Sequence, residues 1–141
     1  MSVPKAVIQY AALPFRVVDG HPEVMLVTSR ETKRWILPKG RPEKRLKSYE
    51  VAAAEAFEEA GIVGTVAKDP FCVFASTKRL KNGKELPCTI KVYILKAKKV
   101  LDDWPEKAER ERRWFSPGEA ALIVTEEGLI KTLLDFGAQW V

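Results

Sequence analysis

Residues 35–62 read WILPKGRPEKRLKSYEVAAAEAFEEAGI, and the fold turns on how this stretch is parsed. It opens on a short apolar strand, Trp35-Ile36-Leu37, ended by Pro38, which has no N–H to give to a sheet ladder. A loop carrying Gly40 and Pro42 follows. From about residue 49 to residue 60 the pattern becomes helical, with Ser48 as the expected N-cap and Gly61 placed to end the helix. Val51, Ala52, Ala54, Ala56 and Phe57 supply its packing surface. Glu55, Glu58 and Glu59 then stand at i, i+3 and i+4, side by side on one helical face with Cβ atoms about 5–6 Å apart. Three carboxylates that close repel one another unless a cation lies between them. Mg²⁺ suits the position, because it takes oxygen ligands and keeps waters and substrate phosphates in its shell.

The opposite charge lies just upstream. Residues 30–47 hold eight basic side chains and two acidic ones, a net +6 against +5 for the whole chain. A sequence pI of 9.2 points to a polyanionic partner. The basic residues cluster at one motif, and aromatic residues do not alternate with them as on a single-strand stacking platform. The expected partner is therefore an anionic, compact small molecule, with nucleic acid unlikely and no membrane. No run of about 18 apolar residues suggests a membrane span, and the opening MSVPKAVIQYAALPF lacks the features of a secretory leader. Cys72 and Cys88 have no metal-ligand spacing and read as reduced thiols in a cytoplasmic protein. The length of 141 residues predicts one domain over 1–141; it sets no oligomeric state.

Outward from the motif, residues 7–18 and 23–29 read as strands joined at Asp19-Gly20-His21-Pro22. His21, the sole histidine, is expected as a solvated turn residue. Residues 71–77 and 89–95 read as two more strands, with a hairpin signal at Lys81-Asn82-Gly83-Lys84. Residues 104–113 are polar and irregular. Ser116-Pro117-Gly118-Glu119 is a capping-box helix start with proline at the first position, and residues 126–136 form a last amphipathic helix. The order predicts an α+β fold, a mixed sheet with helices on it.

The segment 40–62 resembles the Nudix box, the loop–helix–loop of hydrolases that act on nucleoside diphosphates linked to another moiety. Gly40, Glu55, Glu58, Glu59, Gly61 and Ile62 carry the match. Two positions depart from it: Leu46 stands at an early glutamate, for which Glu50 is a conceivable substitute, and Ala54 at the arginine before the first helical glutamate. In the family that arginine orients and neutralises the neighbouring carboxylates. Residues 24–34 (VMLVTSRETKR) and 100–115 (VLDDWPEKAERERRWF) are similar to the subgroup that cleaves diphosphoinositol polyphosphates and diadenosine polyphosphates.

The resemblance implies a Nudix-type α/β/α sandwich. It implies that Glu55 and Glu59 ligate Mg²⁺ (Mn²⁺ as the alternative), that Lys39 adds its backbone carbonyl, and that Glu58 takes a proton from the attacking water. Arg30, Arg34, Gly40, Arg41 and Arg110 are the expected substrate-binding residues, arginine because its guanidinium grips phosphate bidentately. Glu109 and Glu111 are weighed as a late-loop metal ligand, and Trp35, Trp104 and Trp114 are read as core. The expected activity is Mg²⁺-dependent hydrolysis of a pyrophosphate linkage in a polyphosphorylated small molecule, a dinucleoside polyphosphate or a diphosphoinositol polyphosphate. Two alternatives stay open: a Nudix hydrolase of nucleotide sugars, ADP-ribose or nucleoside triphosphates, and a Nudix-fold binding module with weakened catalysis.

Overall fold

The computed structural model describes residues 7–140; residues 1–6 of the opening stretch lie outside them. Eight strands and three helices follow in the order β1 (Val7–Val18), β2 (His21–Thr28), β3 (Trp35–Ile36), β4 (Lys39–Gly40), α1 (Ser48–Ala60), β5 (Ile62–Val66), β6 (Cys72–Arg79), β7 (Glu85–Val100), β8 (Arg112–Phe115), α2 (Pro117–Ile123) and α3 (Glu127–Ala138). None of the helices is long and apolar enough to cross a membrane.

All eight strands join one mixed sheet. The long strands β1 and β7 run parallel at its centre, Val7 opposite Cys88 through Phe15 opposite Lys96. The far edge of β7 pairs antiparallel with β6 and then with β5. The other edge of β1 is shared: β2 takes its C-terminal half and β4 its middle, with Tyr10 opposite Gly40.

Side chains alternate across a strand, and that alternation builds two cores. Ala11, Leu13 and Phe15 of β1, with Val24 and Leu26 of β2, face Leu129, Leu133 and Phe136 of α3. Their neighbours Ala12, Met25 and Val27 face Ala52, Ala56 and Ala60 of α1. The sheet is thus covered on both faces, and the α/β/α sandwich holds. Alanines along α1 let its backbone lie close to the sheet, which fixes the helix that carries the glutamates.

The structure corrects several local expectations. The turn between β1 and β2 is only Asp19-Gly20, both with positive φ (51° and 79°), the signature of a two-residue hairpin; His21 and Pro22 belong to β2. The N-cap of α1 is Lys47, one residue early, and its N–H donates to Glu50 Oε1 at 2.8 Å. Glu50 is thereby committed to capping and does not stand in at position 46. Ser48 Oγ instead accepts from the Tyr93 hydroxyl at 2.8 Å. β5 went unread because Gly61-Ile62-Val63-Gly64 looks like the loop after a helix. Gly64 is required there, since a β-carbon would run into the backbone carbonyl of Lys96 across the ladder. The helix start at Ser116 is as expected, its hydroxyl accepting from Glu119 N at 3.2 Å.

Candidate active site

The face of α1 turned away from the core carries the three glutamates in unequal surroundings. Glu59 is buried, 4% exposed, Glu55 is half-buried, and Glu58 is exposed at the cleft. Burial pushes the Glu59 carboxyl up to about 9, helped by a hydrogen bond shared with Glu55 and opposed by Arg110. Glu55 is raised as well, again by burial first. Gly40 lies directly on Glu55, where a β-carbon would overlap the carboxyl.

The end of α1 is closed by a segment remote in sequence. Residues 101–112 hand four donors to successive carbonyls: Glu106 N to Glu58 O (3.0 Å), Trp104 Nε1 to Glu59 O (3.1 Å), Arg112 Nη1 to Ala60 O (2.9 Å) and Leu101 N to Gly61 O (2.8 Å). Helix ends leave carbonyls without intrahelical partners, and here a second part of the chain satisfies them. Trp104 is therefore a structural residue, flanked on its ring by Arg112 at 3.7 Å. Trp35 meets Phe115 edge-on and Trp114 lies under Arg16, so all three tryptophans are engaged in packing. Gly61, with φ 66°, leaves the room that Trp104 and Arg112 occupy.

The same segment brings Arg110 against the glutamates. Its guanidinium donates to Glu106 Oε1 (2.8 Å) and to the Thr28 carbonyl (3.0 Å), and lies 3.7 Å from Glu59 Oε2. Glu109 turns to Arg30 instead, at 3.6 Å, and Glu111 hands its N–H to Thr28 Oγ1. The late-loop carboxylate that reaches the glutamate face is Glu106, a residue the sequence reading passed over.

The nine residues expected to bind metal or substrate or to act as base, Arg30, Arg34, Lys39, Gly40, Arg41, Glu55, Glu58, Glu59 and Arg110, line one cleft of about 740 Å³, while Glu109 and Glu111 do not. Arg34 is held by Thr32 Oγ1 at 3.1 Å, within the tight loop that Ser29 N closes onto Arg34 O. The lining also includes Thr77, Lys78 and Arg79 from the end of β6. Sequence reading missed these as well; the one signal was their place before the Lys81–Lys84 hairpin, which β7 folds back across the cleft. Burial lowers the Lys39 ammonium from its ordinary value, against the pull of Glu126 and Glu59. The cleft thus has an acidic wall on α1 and a basic wall on the loops and β6.

The donor set fits a hard divalent cation. Among the described residues no three acidic, thiol or imidazole side chains converge closely enough to enclose an ion as placed. However, burial and the neighbouring Glu55 both push the Glu59 carboxyl up, as crowded anionic oxygens do, and oxygens are the donors such cations take. Arg110 alone does not cancel that charge: it lowers the Glu59 carboxyl less than burial raises it.

The chain is similar to known proteins over most of its length. The model of the NUDIX domain matches residues 8–136. Nudix hydrolase 12, mitochondrial, of Arabidopsis thaliana is 32% identical over 117 residues, covering 81% of this chain and 58% of that protein. Diphosphoinositol polyphosphate phosphohydrolase 3-beta of Homo sapiens is 32% identical, covering 81% of this chain and 66% of that protein. The chain thus spans less than two thirds of the length of these relatives. Among solved structures, a C. elegans Ap4A hydrolase shares the fold at TM-score 0.68 and 21% identity, covering 97% of this chain and 100% of that one.

Proposed function

The chain belongs to the Nudix hydrolase family, and on that premise we propose that residues 1–141 form one Mg²⁺-dependent pyrophosphohydrolase domain acting on a polyphosphorylated small molecule. The observation that carries this is the pairing of charges in one cleft: Glu55, Glu58 and Glu59 line it together with Arg30, Arg34, Arg41 and Lys78. An anionic substrate bound on the basic wall lies within reach of the carboxylates.

Glu55 and Glu59, with the Lys39 carbonyl, are the residues that would hold Mg²⁺; Mn²⁺ has the same oxygen preference. When bound, the ion neutralises phosphate oxygens and lowers the pKa of a coordinated water. Glu58, the exposed member of the trio, accepts the proton of the attacking water at its carboxylate. Arg30, Arg34 and Arg41 orient the phosphates, Gly40 leaves room for the Glu55 carboxyl, and Arg110 lies at the junction of the two walls. Positioning and charge supply most of the rate in phosphoryl chemistry.

A dinucleoside polyphosphate or a diphosphoinositol polyphosphate is the proposed substrate class. Density of cations supports it, as does the likeness to a diphosphoinositol polyphosphate phosphohydrolase. Arg30, Arg34, Lys39, Arg41, Lys78 and Arg79 in the lining suit recognition through phosphates, which both substrate classes carry in series. Cys72 and Cys88 are free thiols, in keeping with a cytoplasmic setting, although the plant relative is named as mitochondrial.

The test is release of phosphate or nucleotide from a panel of both substrate classes, ADP-ribose and nucleoside triphosphates, with and without Mg²⁺. Metal-dependent turnover that Glu59→Gln sharply lowers at the same metal concentration is expected. Turnover of no substrate, or equal turnover by Glu59→Gln, refutes the proposal, and affinity without turnover identifies a binding module.

A further inference from the structure

We infer that Arg110 is a positioning residue that fixes the orientation of Glu59, acting on the carboxylate and not on the substrate; this rests on the reading of Glu59 as a metal carboxylate. Three observations carry it. First, the guanidinium is nearly enclosed, its side chain 8% exposed, and each of its nitrogens faces a protein oxygen: Nε that of Glu106, Nη1 that of Thr28 and Nη2 that of Glu59. Second, those three oxygens belong to three separate pieces of the fold, the 101–112 segment, β2 and α1. One rigid planar group therefore registers the glutamate helix against the sheet. Third, among the described residues Arg110 is the sole cation in an ion pair with any of Glu55, Glu58 and Glu59.

Ala54, at the place where the family's arginine stands, offers no charge from the helix itself. Arg110 delivers one from a segment 51 residues downstream of Glu59. Its carrier segment is pinned to the end of α1 by the Glu106 and Trp104 bonds, so the cation and the carboxylate are held by the same scaffold. Outer partners of metal-ligating carboxylates are worth roughly 10–100-fold in metal affinity. A fork-shaped donor does what a point charge does not, because the direction of its N–H groups is fixed.

The experiment is Mn²⁺ binding to the substrate-free protein, followed by calorimetry and by the Mn²⁺ paramagnetic resonance signal, with thermal melting alongside. Arg110→Lys keeps the charge and removes the fork; Arg110→Met removes both. Arg112→Met serves as the control, since it strips a capping bond and a ring contact from the same segment without touching Glu59. The expected result is Mn²⁺ affinity about tenfold or more weaker in Arg110→Lys, with Arg112→Met melting earlier but binding Mn²⁺ as the wild type does. Should Arg110→Met not fold, Arg110→Lys decides alone. Wild-type affinity in Arg110→Lys, or an equal loss in Arg112→Met, overturns the inference while leaving the metal site standing. A wild-type protein that binds no Mn²⁺ overturns the proposed function and the inference together.

Discussion

Gly40 lies against Glu55 so closely that a β-carbon on the glycine would occupy the space of the carboxyl oxygens. Strand β4 and helix α1 are thereby set close together, with the Glu55 carboxyl between them. Gly40→Ala is expected to push Glu55 aside while leaving the sheet and helix content intact, because the backbone at residue 40 does not need positive φ. A misplacement of about 1 Å costs on the order of 10²-fold in rate. The prediction is a fall of that order in kcat/KM with little change in the circular dichroism spectrum; near-wild-type turnover would show that Glu55 is not held for catalysis.

Stability of the metal-free protein should decline as pH rises. Glu59 titrates at about 9 in the fold against an ordinary 4.5, so between these values the folded chain holds a proton that the unfolded chain has released. Stability then falls with pH across that window, by up to about 1.4 kcal/mol per pH unit, and the raised Glu55 acts in the same direction. Denaturant melts at pH 5, 7 and 8.5 give the slope. Glu59→Gln should flatten it and be the more stable protein at the upper end. Mg²⁺, which favours the ionised form, should flatten it too. A metal-free wild type whose stability climbs from pH 5 to 8.5 contradicts the assignment.

How much of this was open to a reader of the sequence depended on range. The glutamate face, Gly40 and Gly61 are set by spacing within one helix and its ends, so they were legible, as were strands β1 and β2. Helix α1 began one residue early because Glu50 reaches back to Lys47, a contact that competes with Ser48 on equal local terms. β5 and the full length of β7 exist through their pairing with each other, which no local pattern announces. Glu106 reaches the site only because residues 101–112 dock on the end of α1, whereas Arg110 in the same segment was named from the subgroup resemblance. The docking ends on backbone carbonyls, which no residue type marks, although two of its donors are the Trp104 and Arg112 side chains.

The basic wall should act mainly on binding. Arg34 and Arg41 are exposed at the cleft and carry no ion pair among the described residues. Replacing either with alanine is expected to raise KM severalfold with a smaller change in kcat, and to flatten the dependence of kcat/KM on salt, since exposed charges are screened beyond about 10 Å at 0.1 M. Initial rates at several salt concentrations measure both. A drop in kcat alone would move these residues from phosphate binding to the reacting atoms.

Trp104→Phe keeps a ring for Arg112 and removes the bond to the Glu59 carbonyl. One lost hydrogen bond to a half-buried carbonyl amounts to about 1 kcal/mol. A melting temperature lower by about 2–8 °C is expected, with substrate preference unchanged because the ring does not line the cleft. Altered selectivity between nucleotide and inositol substrates would instead make Trp104 a recognition surface.

Glu58 and Glu59 should separate under the same substitution. They are adjacent, yet Glu59 is buried beside Arg110 and Glu58 is exposed at the cleft with its backbone carbonyl tied to Glu106. Glu58→Gln removes a proton acceptor and keeps the shape, so kcat should fall by about 10²–10⁴ while Mn²⁺ affinity stays as in the wild type. Glu59→Gln removes a buried anionic oxygen and should lose Mn²⁺ affinity first, its activity recovering in part at high metal concentration. Paired calorimetry and kinetics on the two variants distinguish the roles. Reversal of the pattern, with Glu58→Gln losing the ion and Glu59→Gln retaining it, would exchange the two assignments and place the base on the buried side of the helix.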